Sequence, residues 1–367
     1  MTTIFLVISI TFVKVKADIN VSESSDKDIY RDSIRRDVKE KRSPRQLEAI
    51  WKENDMANGK TVDAMVMIMR TNGCVWAKKG GCTMCGYRSA SLREVTVDDL
   101  MSQVDQAMGR YDNEPFVKIY TSGSFLDEDE IPKEVRERIF KEFGSIERLL
   151  FESRPEFITE ESLRNIPKNV TIALGMESRD NDVLGKCINK GFTVEDTERA
   201  GKAIKKAGLT VRSYLLLKPP YLKESDAISD ALSSVKFADS FSDEISINPI
   251  NVQRTTIVER LWKRGEYRPP WIWSLIKVMR DSASITNARI MSSPSGAGSQ
   301  RGVHNCGKCD NEMIEKIEKF SFSQNPEDLK GECECISSWS AYMETETLLG
   351  SPADMDRAFE DGLAIRR

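Results

Sequence analysis

The chain has 367 residues, 40% of them hydrophobic and 31% charged, and a formal net charge of -4. This length is sufficient for one large α/β domain and a smaller appendage around a sizeable core. The slightly acidic balance excludes overall positive charge as a basis for nucleic-acid binding, so any RNA contact must come from local patches.

The N-terminal residues combine an apolar run with a basic one. Residues 4–13 are apolar but too few to span a bilayer. They have the length of a signal-peptide core, yet no Lys or Arg precedes them and no A-x-A-like cleavage site follows. We therefore interpret residues 4–13 as an extra strand or as a leader read from an upstream start codon, and residues 1–58 as an N-terminal extension. Within it, residues 31–45 carry seven basic and three acidic side chains, which is typical of a solvated helix, a disordered arm or an arm that contacts phosphates.

From residue 59 to residue 290, strand-like and helix-like segments alternate. Thr96 and Pro132 each predict the start of a helix, and helical periodicity returns at residues 195–207 and 226–240. The strand candidates are short apolar or β-branched runs, as expected for strands covered on both faces. They are Ala64–Met69, Phe116–Thr121, Arg148–Glu152, Val170–Met176, Thr210–Leu217, Glu244–Ile250 and Ala288–Ser292.

This alternation predicts right-handed βαβ units and a parallel sheet. Six or seven repeats indicate an α/β fold with a partial or full TIM-like barrel over residues 59–290. In such barrels the chemistry takes place at the C-terminal ends of the strands.

A loop with three cysteines, Cys74, Cys82 and Cys85, follows the first strand candidate at that end. A structural zinc ion takes four protein ligands, whereas three thiolates on a four-iron cluster leave one iron free for a substrate or cofactor. Gly80 and Gly81 would let the backbone pass close to the inorganic core. The loop therefore predicts a 4Fe-4S site, with a zinc site or unliganded core cysteines as alternatives.

Residues 291–367 form a predicted Cys-rich appendage behind a linker rich in Ser, Gly and Pro. Its CxxC and CxC hooks are formed by Cys306 and Cys309 and by Cys333 and Cys335. Four thiolates on two hooks predict a structural zinc ion, which would staple a segment too small to build its own core. A second four-iron cluster is the competing interpretation. His304 adjoins the first hook and is either a structural residue or a further ligand.

Seven of the eight cysteines fall in these two groups, and only Cys187 stands apart, as a predicted core residue. Clustered cysteines in a chain of this size indicate metal sites rather than a disulfide framework. We therefore expect a reducing, cytoplasmic setting and no association with a membrane.

The predicted barrel and the cysteine triad together resemble the radical S-adenosylmethionine (SAM) superfamily. The spacing Cys-x7-Cys-x2-Cys has a longer first gap than the commoner pattern, and Met84 stands where an aromatic residue is usual. The longer gap resembles the branch that contains the Elongator catalytic-subunit-like enzymes. The resemblance implies that Cys74, Cys82 and Cys85 hold a 4Fe-4S cluster whose free iron binds SAM, and that reductive cleavage of SAM yields a 5′-deoxyadenosyl radical.

The same resemblance implies where SAM is held. The turn Ser122-Gly123-Ser124 lies where the superfamily's Gly-Gly-Glu-like turn meets the amino group of SAM, although the second glycine and the glutamate are missing here. Arg154, in an E-S-R-P turn, or Arg212 would pair with the SAM carboxylate, since a guanidinium fork fits a carboxylate. Glu177, in a G-x-E/Q-S turn, would hold the ribose hydroxyls. An ordinary salt bridge is the alternative for each arginine.

Three further segments at or near the C-terminal ends of the strands carry polar or basic side chains. Asn251, Gln253 and Arg254 follow the sixth strand candidate and could face adenine or the substrate. Residues 260–268 lie in a stretch similar to the L-W-K-x-G-x-Y-x-P segment of this branch, and their four basic side chains could contact RNA, with helix packing as the alternative. Lys218 ends the fifth strand candidate and is expected to be exposed.

The barrel, the H-N-C-G-K-C and C-x-C hooks and this stretch together resemble the radical SAM subunit family of archaeosine synthases over residues 46–350. The resemblance implies a tRNA substrate, a lysine-transferring partner subunit and a reducing electron donor. In that family lysine is first joined to 7-cyano-7-deazaguanine at tRNA position 15. The radical enzyme then takes a hydrogen from the lysine moiety and breaks the C–N bond, leaving the amidine of archaeosine. For lysine recognition, Asp127 and Glu152 are the candidates.

Two other hypotheses stay open at this point. The chain could be another Elongator-like radical enzyme that acts on a different tRNA base or on a small molecule. It could also be a non-catalytic, zinc-bearing RNA-binding protein.

Overall fold

The computed structural model describes residues 43–349, in which eight strands form one sheet in sequential order. All pairings from β2 to β8 are parallel, and β1 runs antiparallel to β2. The seven predicted strands and the α/β barrel-like class are confirmed. The strands are β1 (Ala49–Ala57), β2 (Lys60–Ile68), β3 (Phe116–Tyr120), β4 (Arg148–Ser153), β5 (Val170–Glu177), β6 (Thr210–Leu217), β7 (Glu244–Pro249) and β8 (Arg289–Met291).

Helices connect the parallel strands. Thr96 and Thr193 each accept a hydrogen bond from the third helical residue, whose carboxylate bonds back to the threonine N–H, so both form capping boxes. Pro132 precedes the second helix, as predicted. The helices are α1 (Val97–Met108), α2 (Lys133–Phe143), α3 (Glu160–Leu163), α4 (Val194–Lys206), α5 (Glu224–Ala238), α6 (Ile257–Lys263), α7 (Ile272–Ser282), α8 (Asp310–Ser323) and α9 (Cys335–Leu349).

Strand β1 is the element that sequence analysis did not recognise as part of the sheet. It lies inside the predicted N-terminal extension and pairs with β2 over its whole length, from Ala49 opposite Ile68 to Ala57 opposite Lys60. The turn between them is Asn58-Gly59, and both residues have positive φ, which is the backbone of a two-residue hairpin. The Asn-Gly pair was therefore the available signal. The predicted leader and most of the basic arm lie outside the described residues.

The inner face of the curled sheet carries a small apolar layer and, below it, a buried ionic cluster. Ala64, Phe116, Leu150 and Ala173 form the apolar layer. At the N-terminal ends of the strands, the carboxylates of Asp55 and Glu244 meet four cations. These cations are Lys118, Arg148, Arg212 and Arg289.

Burial by itself would raise the pKa of Glu244, but Arg212, Arg148 and Arg289 outweigh it and lower that pKa to about 2. Removing one member would leave a buried charge without its partner. The ionic cluster lies at the N-terminal strand ends, whereas the chemistry of such barrels takes place at the opposite end.

The C-terminal residues pack onto the barrel. Met313, Ile317 and Phe320 of α8 are fully buried in the same core as the barrel helices. Glu346 of α9 accepts a hydrogen bond from the Glu224 N–H, at the start of α5, at 2.7 Å. The predicted domain boundaries at residues 58 and 290 stay predictions. Within residues 43–349, no helix has both the length and the apolar character needed to cross a membrane.

Candidate metal centres

The loop that carries Cys74, Cys82 and Cys85 leaves the C-terminal end of β2 and is tied to the segment after β5. The Thr83 N–H donates to Ile188 O at 2.9 Å, and the Thr83 hydroxyl donates to Cys187 O at 2.7 Å. The indole N–H of Trp76 donates to Asn189 O at 2.7 Å, while the Asn189 amide returns a bond to Gly81 O at 2.8 Å. These bonds fix the loop on both sides of Cys82.

The same loop is also tied to the opposite side of the barrel mouth. The N–H of Ile257, the first residue of α6, donates to Thr83 O at 3.0 Å. The Gly86 N–H, directly after Cys85, donates to Gln253 Oε1 at 2.6 Å. Strand ends that are far apart in the sequence therefore determine the path of the loop, and its three cysteines are all partly exposed at the mouth.

The turn Ser122-Gly123-Ser124 after β3 lies against the start of this loop. A Cβ on Gly123 would lie 2.6 Å from Cα of Cys74, so only glycine allows this approach. Glu130 Oε2 accepts from the Ser124 N–H at 2.6 Å, and its other oxygen accepts from the Thr71 hydroxyl at 2.7 Å. Glu130 was not identified from the sequence, because it comes six residues after the turn that it holds.

The ends of β4 and β5 bring two cations and a carboxylate to the vicinity of Cys82. Lys190 donates to Glu177 Oε1 at 2.6 Å, and Glu177 is reached through a register shift in β5 and a positive φ of 65°. The guanidinium of Arg154 lies 5.0 Å from the ring centroid of Phe192 and donates to Lys190 O at 3.2 Å. Arg154 and Glu177 thus both contact Lys190, and their contacts with SAM stay a prediction. Lys190 and Phe192 were missed, because they follow a helical turn rather than a strand.

Burial dominates the electrostatics at this end of the barrel. It raises the pKa of the Cys82 thiol to about 12, against the opposing effect of Lys190. Burial also opposes the charge on Lys190, but Glu177 and Cys82 together outweigh it and raise the Lys190 pKa.

The two candidates for lysine recognition lie in different places. Glu152, at the end of β4, faces the inside of the barrel, and burial raises its pKa to about 7, with Lys190 opposing. Asp127 is 5% exposed, and its Oδ1 accepts the Asp129 N–H at 3.0 Å within its own turn. Of the two carboxylates, Glu152 is the one that faces the inside of the barrel.

Two predicted residues lie elsewhere. Arg212 belongs to the ionic cluster at the N-terminal end, where it contacts Glu244 at 2.7 Å and Asp55 at 3.3 Å. This corrects the expectation that it reaches a cofactor, because it is the third residue of β6 and the mouth is at the other end. Lys218 is 2% exposed rather than exposed, because Glu224 binds its Nζ at 2.6 Å.

The basic segment 260–268 is only partly available to RNA. The guanidinium of Arg268 stacks 4.0 Å from the centroid of a Trp271 ring and donates to His304 O at 2.9 Å. Lys263 and Arg264 are exposed, with Glu259 and Glu266 as their ionic neighbours. Arg268 is therefore packed against neighbouring residues of the protein, which agrees with the alternative interpretation of this segment.

An open pocket of about 450 Å³ borders the end of the cysteine loop. One wall is formed by Gly86 and Tyr87, and the other by Asn251, Gln253 and Arg254. The last three residues thus line a cavity next to Cys85, where sequence analysis expected them to meet adenine or a substrate.

The second cysteine group is compact. Its four sulfur atoms lie within 4.8 Å of one another, and among residues 43–349 it is the one set of His, Cys, Asp or Glu side chains gathered this closely. The Sγ–Sγ separations are 3.9 Å for Cys306–Cys309, 3.8 Å for Cys306–Cys333 and 3.7 Å for Cys309–Cys335. Zn–S bonds of about 2.3 Å in a tetrahedron require about 3.8 Å. The donor set therefore fits one zinc ion.

Neighbouring donors complete this four-cysteine site. The indole N–H of Trp273 donates to Cys335 Sγ at 3.1 Å, and the Asn305 amide donates to Cys309 Sγ at 3.4 Å. Backbone N–H groups of Cys309 and Lys308 lower the pKa of Cys306 to about 7. The ring of His304 contacts Gly302 O instead, so the four thiols form the site without it.

Cys74, Cys82 and Cys85 are arranged differently. They are not part of such a close group, and a four-iron cluster does not require one, because each thiolate binds a different iron. Three cysteines on a loop at the barrel mouth, with Arg154, Lys190 and Glu177 as the charged neighbours of Cys82, are the donor types that a cluster and a zwitterionic cofactor would need.

Known proteins give the following similarities. The family described as the radical SAM superfamily matches residues 68–230. The chain is 41% identical over 327 residues to archaeosine synthase subunit beta of Methanosarcina acetivorans, covering 85% of this chain and 94% of that protein. It is 38% identical over 301 residues to the protein of the same name from Thermococcus kodakarensis, covering 77% and 93%. A solved structure of Methanocaldococcus infernus Elp3 aligns over 77% of this chain and 63% of that one, at 17% identity and a TM-score of 0.44.

Proposed function

We propose a function for this chain from its family: it belongs to the archaeosine synthase subunit beta family within the radical SAM superfamily. In our proposal it performs the radical step of archaeosine biosynthesis on tRNA. Membership implies a 4Fe-4S cluster and SAM as cofactors. In our proposal the reaction is a lyase step, the cleavage of the C–N bond in the lysine adduct of 7-cyano-7-deazaguanine at tRNA position 15. That step leaves the amidine of archaeosine.

The observation that carries the proposal is the position of the three-cysteine loop. It lies at the C-terminal strand ends, fixed by Thr83, Gly86 and Trp76, and it offers three ligands rather than four. We propose that Cys74, Cys82 and Cys85 hold the cluster. When bound, the cluster and SAM supply hydrogen-atom abstraction, which can break a C–N bond that acids and bases do not activate.

The chain's own residues would bind and orient the cofactor. Arg154 and Lys190 are the cations available to the SAM carboxylate, and Arg154 is held in place by Phe192 and by Glu156 at 2.6 Å. Glu177 would hold the ribose hydroxyls. Glu152 offers a carboxylate to an α-ammonium group inside the barrel, either of SAM or of the lysine arm. The buried walls exclude water from the reacting atoms.

The proposal includes partners and a second metal. A lysine-transferring subunit would make the substrate, and a low-potential electron donor would reduce the cluster. The sulfur separations of 3.7 to 3.9 Å support zinc rather than a second cluster at Cys306, Cys309, Cys333 and Cys335. Thiolate-bound iron requires a reducing compartment, so we place the enzyme in the cytoplasm.

The test is reconstitution under anaerobic conditions with tRNA that carries the lysine adduct. We expect a brown protein that cleaves SAM when reduced and converts the adduct to archaeosine, followed by mass spectrometry of tRNA nucleosides. A colourless protein with zinc alone would contradict the radical reaction and would leave the non-catalytic, zinc-bearing RNA-binding protein as the alternative. SAM cleavage without conversion of the adduct would point to another substrate.

A deletion strain gives an independent readout. It should accumulate the lysine adduct and lack archaeosine. Unchanged archaeosine in that strain contradicts the proposal.

A further inference from the structure

The two edge strands of the sheet, β1 and β8, leave an open seam in the barrel wall. At the N-terminal end the seam is closed by the ion pair between Asp55 and Arg289, at 3.1 Å. Strand β8 ends only two residues later, at Met291, whereas β1 extends from Asp55 to Ala49, six residues toward the cysteine loop. At about 3.4 Å per residue, Trp51 lies roughly 14 Å along the strand from Asp55. No described strand lies opposite it across the seam.

The side chain of Trp51 is directed to the inside of the barrel. In an antiparallel pair, directly opposed residues share a face, and Glu53 lies opposite Ala64, a member of the inner apolar layer. Trp51 and Glu53 are two residues apart and therefore share this face. Glu53 Oε1 accepts from Lys118 on β3 at 2.6 Å, and its other oxygen accepts from the Trp51 indole N–H at 2.8 Å.

These contacts hold the indole at the seam with its N–H satisfied and part of the residue exposed. Trp51 is 40% exposed, although it faces inward. An exposed aromatic ring on a fixed strand is a stacking surface, and every nucleobase presents a face that can stack on it.

The position also fits RNA by charge. Strand β1 begins at the mouth, since Ala49 pairs with Ile68, the last residue of β2 before the cysteine loop. The chain that leads into β1 carries seven basic and three acidic residues over positions 31–45. Basic side chains that contact phosphates and an aromatic ring that stacks on bases are together the combination that binds unpaired nucleotides.

We infer that the seam between β1 and β8 admits a nucleotide extruded from RNA, with its base stacked on Trp51. This inference rests on the proposed function and extends it by naming the route to the cysteine loop. A protein partner is a less suitable occupant, because a protein surface binds aromatic rings on the outside of the barrel, whereas Trp51 lies on the inner face of β1.

The experiment compares Trp51→Leu with Trp51→Phe in the reconstituted holoenzyme. Leucine keeps apolar bulk without a stacking face, whereas phenylalanine keeps the face. We expect Trp51→Leu to raise the Kd for lysine-adduct tRNA by about 5- to 150-fold, and Trp51→Phe to stay within about 5-fold of the wild type. Ile285→Ala is the matched control, since Ile285 is 39% exposed but precedes β8 at the closed end. It should bind like the wild type.

Three results overturn the inference. They are an unchanged Kd for Trp51→Leu, an equal loss for the leucine and phenylalanine variants, and a weakened complex with the lysine-transferring subunit at an unchanged Kd for tRNA. Failure of the proposed function is seen separately, as a wild type that does not convert the adduct. The Kd comparison remains decisive in that case.

Discussion

The two cysteine sites of this protein are built in opposite ways. The sulfur atoms of Cys306, Cys309, Cys333 and Cys335 all lie within 4.8 Å of one another on two short hooks, and two of these cysteines adjoin the starts of α8 and α9. The loop with Cys74, Cys82 and Cys85 has no such internal closure and is held by strand ends around the barrel mouth. A closed four-thiolate site suits a structural ion, whereas a three-thiolate site that depends on the barrel suits chemistry.

The largest difference should follow from the change of one thiol in the three-cysteine loop. Cys82→Ser removes a proposed cluster ligand. We therefore expect the protein to lose the brown cluster and the rate of SAM cleavage to fall by at least about 1,000-fold. The melting temperature and zinc content should change little, because the loop is held by backbone bonds of Thr83 and Gly86. Iron analysis, visible absorption and SAM cleavage measure this. A variant that keeps its iron would contradict our assignment of Cys82.

The matching change in the other site should affect stability instead. Cys309→Ser removes a buried ligand beside Asn305. We expect loss of zinc and roughly 3 kcal/mol of stability, because the metal joins the segments before α8 and α9. Zinc analysis and thermal unfolding measure this. Retained zinc with an unchanged melting temperature would show that this site is not a staple.

Glu152, inside the barrel, should make the folding stability depend on pH, an effect that belongs to the barrel interior and not to the four-cysteine site. Burial raises its folded-state pKa to about 7 from the ordinary 4.5, near Lys190, Glu177, Tyr214 and Glu130. Between pH 4.5 and pH 7 the Glu152 carboxyl group ionises in the unfolded chain but stays protonated in the folded protein. The contribution of Glu152 to the free energy of unfolding is therefore highest below pH 4.5 and falls as the pH rises to 7. The loss amounts to about 3 kcal/mol.

Glu152→Gln should therefore stabilise the cofactor-free protein at pH 8 by up to that amount, measured by urea unfolding at several pH values. The exposed Glu161→Gln is the control and should give no pH-dependent difference. An equal stability of the wild type and Glu152→Gln from pH 5 to pH 8 would contradict the raised pKa.

Two glycines provide the finest comparison of the sites. Gly123→Ala would place a Cβ 2.6 Å from Cα of Cys74, so we expect about 1–3 kcal/mol of destabilisation and reduced iron content. Gly307→Ala meets no atom within 4 Å, but φ is +84° there, so we expect roughly 1 kcal/mol and normal iron content. Iron and zinc analyses of both variants give the outcome. A normal iron content in Gly123→Ala would show that the turn can move away from the loop.

Much of the architecture could be predicted from local patterns. Apolar runs identified seven strands, Thr96 and Pro132 marked helix starts, and the spacing of the cysteines separated the two sites. These features depend on residues within a few positions of each other, which is why a single sequence reveals them. Strand β1 escaped because its half-exposed, polar sequence lacks the apolar run of a buried strand.

The partners of buried charges were decided only by the tertiary structure. Arg212 binds Asp55, 157 positions away, and Lys218 binds Glu224 beneath α9. Lys190 reaches Glu177 across a helical turn, and Trp51 is 40% exposed although it lies on the inner face of β1. Each of these facts depends on which strand ends meet in space. The periodicity of a segment shows which of its faces is buried, but it contains no information about the residue that lies opposite.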